Sequence, residues 1–172
     1  QSYYDNFPNT LENKSFFKSQ DGTIYILGND LDKKGIILRQ ETGGNTFFEA
    51  FSFSIDQASR VTLPVVTCSN NDSCFWLTDV YGRLMLCNQQ RATRFHPWSL
   101  GIKGDRPSVS SIMLDRDGRS IWLGYIGYNE SAGIVHFDGD TVLQKIIIKD
   151  DIESNWITAI ARDSSENIWF AS

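Results

Sequence analysis

Asp117-Gly118-Arg119-Ser120-Ile121-Trp122-Leu123-Gly124 is a polar turn followed by a strand that carries one large aromatic residue. The phrase returns as Ser164-Ser165-Glu166-Asn167-Ile168-Trp169-Phe170-Ala171 and as Asp21-Gly22-Thr23-Ile24-Tyr25-Ile26-Leu27-Gly28. Asn71-Asp72-Ser73-Cys74-Phe75-Trp76-Leu77-Thr78 is a degraded copy. The aromatics stand at 25, 76, 122 and 169, so the steps are 51, 46 and 47 residues. Such a period, with several strands in each unit, is what propeller blades leave in a sequence. It predicts an all-β chain: a partial β-propeller of about three and a half blades, each of four antiparallel strands.

The third unit is the clearest. Val109 to Leu114 is a β-type run, Asp115 to Arg119 turns it around, and Ser120 to Tyr125 forms the second strand. A loop from Ile126 to Ser131 leads into Ala132 to Phe137; Asp138-Gly139-Asp140 is a hairpin signal, and Thr141 to Lys149 follows as the fourth strand. Matching runs place one domain over 1–172, with blades near 11–56, 60–98 and 106–150 and an incomplete blade at 155–172. No segment sustains a helical period. A second-strand Trp packs between neighbouring blades, so Trp76, Trp122 and Trp169 read as core.

Hydrophobic residues make up 41% of the 172 and aromatics 13%, enough for a packed domain. The net charge of −5 argues against nucleic acid, which calls for a basic patch. Apolar runs such as Ile146-Ile147-Ile148 are too short to cross a bilayer, so no membrane contact is expected within this segment. Gln1 to Thr10 lacks the basic start and apolar run of a signal peptide.

Cys68 and Cys74 flank a hairpin turn and are placed either to bridge across two paired strands or to sit as two small half-buried residues. No CxxC pair or nearby His completes a metal-ligand set, and no cofactor is expected. His96 and His136 lie outside any nucleophile or zinc motif, so no catalytic residue is assigned. The acid pairs Asp115/Asp117, Asp138/Asp140 and Asp150/Asp151 fall in turns or connectors, where Asp bonds its own backbone. Asp115-Arg116-Asp117-Gly118 fails as a calcium loop, because its Gly comes early and its twelfth position is Ile126.

The stretch from Ile112 to Gly124, followed by Gly133-Ile134-Val135-His136-Phe137-Asp138, resembles the two-component-regulator propeller repeat. Ile152-Glu153-Ser154-Asn155-Trp156-Ile157 resembles that family's connector, with Glu153 where Pro is common. The second unit departs from the pattern by carrying Asp72 for the turn Gly, and the first by carrying Tyr25 for Trp. The resemblance implies a non-enzymatic periplasmic sensor region of a hybrid two-component system of the Bacteroidetes, responding to polysaccharide-derived ligands. A protein-binding scaffold and a propeller-fold carbohydrate-active enzyme are the alternatives.

Propellers close with roughly four to eight blades. The chain is therefore expected to be a piece of a longer sensor, completed by the parent's remaining blades, or to pair with a second copy through exposed strand edges. Blade topology puts second-to-third loops and blade-to-blade connectors on one face. Tyr81, Trp98, Tyr125 and Tyr128, with the cations Lys103 and Arg106, fall on those segments and are the expected binding residues for an oligosaccharide. The opposite face carries the short turns and reads as poorer in binding groups.

Overall fold

The computed structural model describes residues 3–4, 12–19, 22–29, 34–41, 43–54, 61–68, 74–79, 82–88, 92–102, 105–128, 132–148 and 157–171. The first sheet contains β1 (Tyr3–Tyr4), β2 (Glu12–Lys18), β3 (Ile24–Asn29), β4 (Lys34–Gln40) and β5 (Phe47–Ser54), in the order β1-β5-β4-β3-β2. The second runs sequentially through β6 (Val61–Cys68), β7 (Cys74–Asp79), β8 (Leu84–Asn88) and β9 (Ala92–Phe95). After a 3-10 turn at Pro97–Leu100, the third contains β10 (Asp105–Leu114), β11 (Ile121–Tyr128), β12 (Ala132–Phe137) and β13 (Val142–Ile148). The strands β14 (Ala159–Arg162) and β15 (Ile168–Ala171) form a two-stranded hairpin. Every pairing is antiparallel. The architecture is that of an all-β, partial β-propeller, with β1 added to the outer edge of the first blade.

Each complete blade repeats one irregularity. The register between first and second strands shifts between Glu12 and Ser15, Thr62 and Val65, and Asp105 and Ser108. Such bulges bend and twist a strand. In the third blade they let pairing continue to Tyr128, beyond the expected strand end at Tyr125.

Side-chain alternation sends successive second-strand residues to opposite faces, so each blade offers apolar groups to both neighbours. Tyr25 and Leu27 of the first blade meet Phe75, Leu77 and Met85 of the second. Trp76 turns the other way and packs with Leu114, Ile121, Leu123 and Phe137 of the third. The rings interlock: Trp76 and Phe95 lie 6.0 and 5.1 Å from Phe137, crossing it at 70° and 75°. Each such edge-on pair contributes about 0.5–1.5 kcal/mol beyond its buried area.

Trp76 and Trp122 are core as expected, at 1% and 8% exposure, whereas Trp169 is 61% exposed and corrects the reading that made it core. Arg162, opposite Ile168 in the register, reaches back to the third blade. Trp169 is one residue on and so stands on the far face of the hairpin, which no described strand covers.

Candidate functional site

Among the described residues, a connected set of polar side chains lies where the third blade meets the β14–β15 hairpin. Asp115 follows the last residue of β10 and starts the tight turn, and its backbone N–H donates to Ser120 O at 2.8 Å. Its side chain is a hub. Oδ1 accepts the Arg116 amide at 2.6 Å and the guanidinium of Arg162, while Oδ2 accepts the Trp122 indole at 3.0 Å. Oδ2 also lies 2.9 Å from His136 Nε2, and the imidazole stacks on Trp122 at 4.3 Å and 7°. Ser110 Oγ donates to Ile157 O, and Arg116 pairs with Glu166 across the same junction.

The hairpin rebuilds the same corner. Asp163 Oδ1 accepts the amides of Ser165 and Asn167 at 2.8 and 2.9 Å, and Oδ2 accepts the Trp169 indole at 2.7 Å. The register then identifies the equivalent positions elsewhere. Trp122 pairs with Met113, two residues before Asp115; Trp76 pairs with Val66, two residues before Cys68. Cys68 thus stands where Asp115 and Asp163 stand, and Cys74 where Ser120 and Asn167 stand. Cys68 and Cys74 are direct register partners, Cys74 is disulfide-bonded, and Cys87 is a free buried thiol. The Trp76 indole N–H, lacking the turn carboxylate, has no hydrogen-bond partner.

Electrostatics follow from these contacts. Burial pushes the Asp115 carboxyl up, but bonds from Arg162, the Arg116 amide and the Trp122 indole outweigh it and hold the group below the usual carboxylate range. Hydrogen bonds from the Asn167 side chain and the Trp169 indole bring Asp163 down to about 2. Asp138 is lowered by the Thr141 and Asp140 amides. These carboxylates do the backbone-bonding work expected of turn residues.

Asp, His and Ser in contact invite a test for nucleophilic catalysis. A relay needs the carboxylate on one imidazole nitrogen and the hydroxyl on the other. Here the one nitrogen, Nε2 of His136, faces both Asp115 Oδ2 at 2.9 Å and Ser120 Oγ at 3.0 Å. Ser120 is buried, and its hydroxyl already donates to Asp117 at 2.7 Å. The arrangement clasps two blades; it does not activate a nucleophile. Among the described residues, no group of His, Cys, Asp and Glu is placed to hold a metal ion, and no helix is long and apolar enough to cross a membrane. Sequence reasoning missed Arg162, whose partner lies 47 residues away; the signal was the repeat length itself.

Tyr125 is a strand residue with 0% exposure, its ring in the core and 6.0 Å from Lys145 Nζ, which corrects its expected place among the binding groups of the loop face. Arg106 and Tyr128 both lie in strands at one end of the third blade, where Asp105 pairs with Tyr128. Trp98 sits in the 3-10 turn. The side chains of Trp98, Arg106 and Tyr128 lie outside the described residues, as do Tyr81 and Lys103 altogether.

No family model matches the chain, and no curated protein matches it. Solved structures do. The extracellular domain of a putative hybrid two-component system from B. thetaiotaomicron is similar with a TM-score of 0.56 and 19% identity, over 96% of this chain and 21% of that one. The β-propeller domain of a Myceliophteria thermophila protein is similar with a TM-score of 0.55 and 16% identity, over 88% of this chain and 45% of that one. The chain thus spans about a fifth of the first and under half of the second. At these identities the likeness establishes the fold.

Proposed function

We propose that the chain is a propeller segment of the periplasmic sensor region of a hybrid two-component signalling protein, binding a polysaccharide-derived ligand without turning it over. The observation that carries this reading is the blade unit itself. Asp115 and Asp163 each hold the Trp of the following strand by its indole N–H, in the Asp-to-Trp phrase that resembles the two-component-regulator repeat. The likeness to an extracellular domain of a hybrid two-component system over 96% of the chain supports it. A disulfide-bonded Cys74 fits an oxidising compartment such as the periplasm. In this reading the parent protein carries a histidine kinase, and further blades, or a second copy paired edge to edge, complete the ring.

Absence of a usable relay around His136 favours binding over catalysis. A protein-binding scaffold is the second reading. Its support is the outer strand β13, where Leu143, Ile146 and Ile147 are exposed apolar residues. Isothermal titration with defined glycan fragments, followed by product analysis, separates the two. Heat without turnover is the expected result. Turnover would make the chain an enzyme, and silence across a broad panel would leave the scaffold.

A further inference from the structure

The face expected to be poor in binding groups carries a cleft. It opens between the second and third blades beside their short turns, with a volume of about 430 Å³. That size falls in the lower range of small-molecule pockets, roughly 300–1,000 Å³. The floor is apolar, formed by Trp76, Leu86 and Phe95. The rim is polar, with Arg119 from the β10–β11 turn and Asp138 and Asp140 from the β12–β13 turn.

These groups are built for different tasks. Asp138 Oδ1 is fixed by the amides of Asp140 and Thr141 at 2.8 and 2.6 Å, which orients the carboxylate. Arg119 and Asp140 stand 3.6 Å apart with side chains 73% and 83% exposed. Such a solvated pair is only loosely held, so either group is readily released to a ligand. Beneath them the 99% buried Trp76, at 1% exposure, keeps an indole N–H with no acceptor. Cys68 holds the register position from which a carboxylate caps the indole in the third blade and the hairpin. The second blade has exchanged a polar corner for a sulfur-bearing one, and the cleft lies on that corner.

The chemistry selects among occupants. An anion would meet two carboxylates against one guanidinium. A wholly apolar group would strip water from three charged side chains without replacing its hydrogen bonds. A neutral hydroxylated ring lays its C–H face on Phe95 and Leu86 and offers hydroxyls that donate to Asp138 and Asp140 and accept from Arg119. We infer that this cleft binds one neutral sugar unit, as a monosaccharide or as one end of a disaccharide. The inference rests on the saccharide reading above and supplies its site.

The test is amide-shift mapping of the isotope-labelled chain titrated with glucose, galactose, mannose and their disaccharides, with Arg119→Ala/Asp140→Ala as the variant. One sugar is expected to move the Phe95, Gly118 and Gly139 amides saturably. The variant should bind it about tenfold more weakly or worse, with its melting temperature unchanged. Saturable shifts confined to the opposite ends of the blades, equal in the variant, would overturn the cleft and leave the saccharide reading standing. Shifts at the cleft with benzylamine or benzoate but with no sugar would overturn the ligand class. If no sugar moves any amide, both the cleft assignment and the saccharide reading fall.

Discussion

Replacing Asp115 by Ala should cost about 3 kcal/mol at neutral pH, a large part of the roughly 5–15 kcal/mol that holds a typical domain together. Two losses make up the figure. The Trp122 indole, on a side chain 8% exposed, is left without its acceptor, and an orphaned buried donor costs about 1–3 kcal/mol. Arg162, with a side chain 15% exposed, loses its carboxylate. Breaking a fully buried pair costs about 3–5 kcal/mol, and partial access to water brings this one well below that. The two share a hub, so they do not add in full. Asp115→Asn keeps an oxygen for the indole and drops the charge, and should cost about half as much. Urea unfolding near neutral pH and again near pH 3 provides the assay. Because the folded carboxyl titrates below its ordinary value of about 3.9, its contribution is complete above that pH. It is lost as pH falls through the lowered value, so the gap between wild type and Asp115→Ala should narrow in acid. A gap under about 0.5 kcal/mol at neutral pH, or one of constant size in acid, would refute the hub.

Trp122→Ala should cost about 3–5 kcal/mol by thermal or urea unfolding, whereas Trp169→Ala, at a site 61% exposed, should cost under about 1.5 kcal/mol. Equal losses would contradict the facing assigned to the hairpin. A carbon-detected titration of Asp163 should give a midpoint near 2, so its turn holds above the ordinary value of about 3.9 and loosens only as pH drops towards 2; an unshifted midpoint would contradict the bonds to Asn167 and Trp169. Thiol counting without reductant should find Cys87 silent in the native chain, because burial pushes its thiol up to about 12, and reactive once unfolded. Two further thiols should appear only after reduction, and their appearance beforehand would contradict the disulfide at Cys74.

Blade order and most strand positions were legible in sequence because turn residues punctuate them. Asp138-Gly139-Asp140 turns where expected, with Asp138 bonding its own backbone. The burial of Trp76 and Trp122 followed from the packing of a second-strand Trp between neighbouring blades. Two kinds of information were not local. Pairing in the third blade runs past two register shifts in β10 to Tyr128, and nothing in the residues between Asp105 and Ser111 announces them, so Tyr128 was assigned to a loop. Whether an aromatic is covered depends on another blade altogether, which is why Trp169 was misjudged and Arg162 overlooked. The Phe95 cleft was hidden for the same reason: its two walls come from different repeats.

One position in the tight turns also explains a substitution that looks costly. Gly22 and Gly118 adopt φ of 90° and 66°, and Glu166 takes the equivalent place at 72°. A residue with a Cβ is strained there by about 1–2 kcal/mol. Glu166 uses its reach to pair with Arg116 on the neighbouring blade.

That junction differs in kind from the other two. Aromatic and aliphatic side chains join the first blade to the second and the second to the third. The clasp between the third blade and the hairpin adds two ion pairs, Arg162–Asp115 and Arg116–Glu166, to the burial of Ile157 against the third blade. Salt weakens the exposed Arg116–Glu166 pair, reaches the mostly buried Arg162–Asp115 pair far less, and leaves apolar burial intact. Rising salt should therefore loosen the outer tie between the third blade and the hairpin while Asp115 keeps its hold on Arg162 and the aromatic seams stay shut.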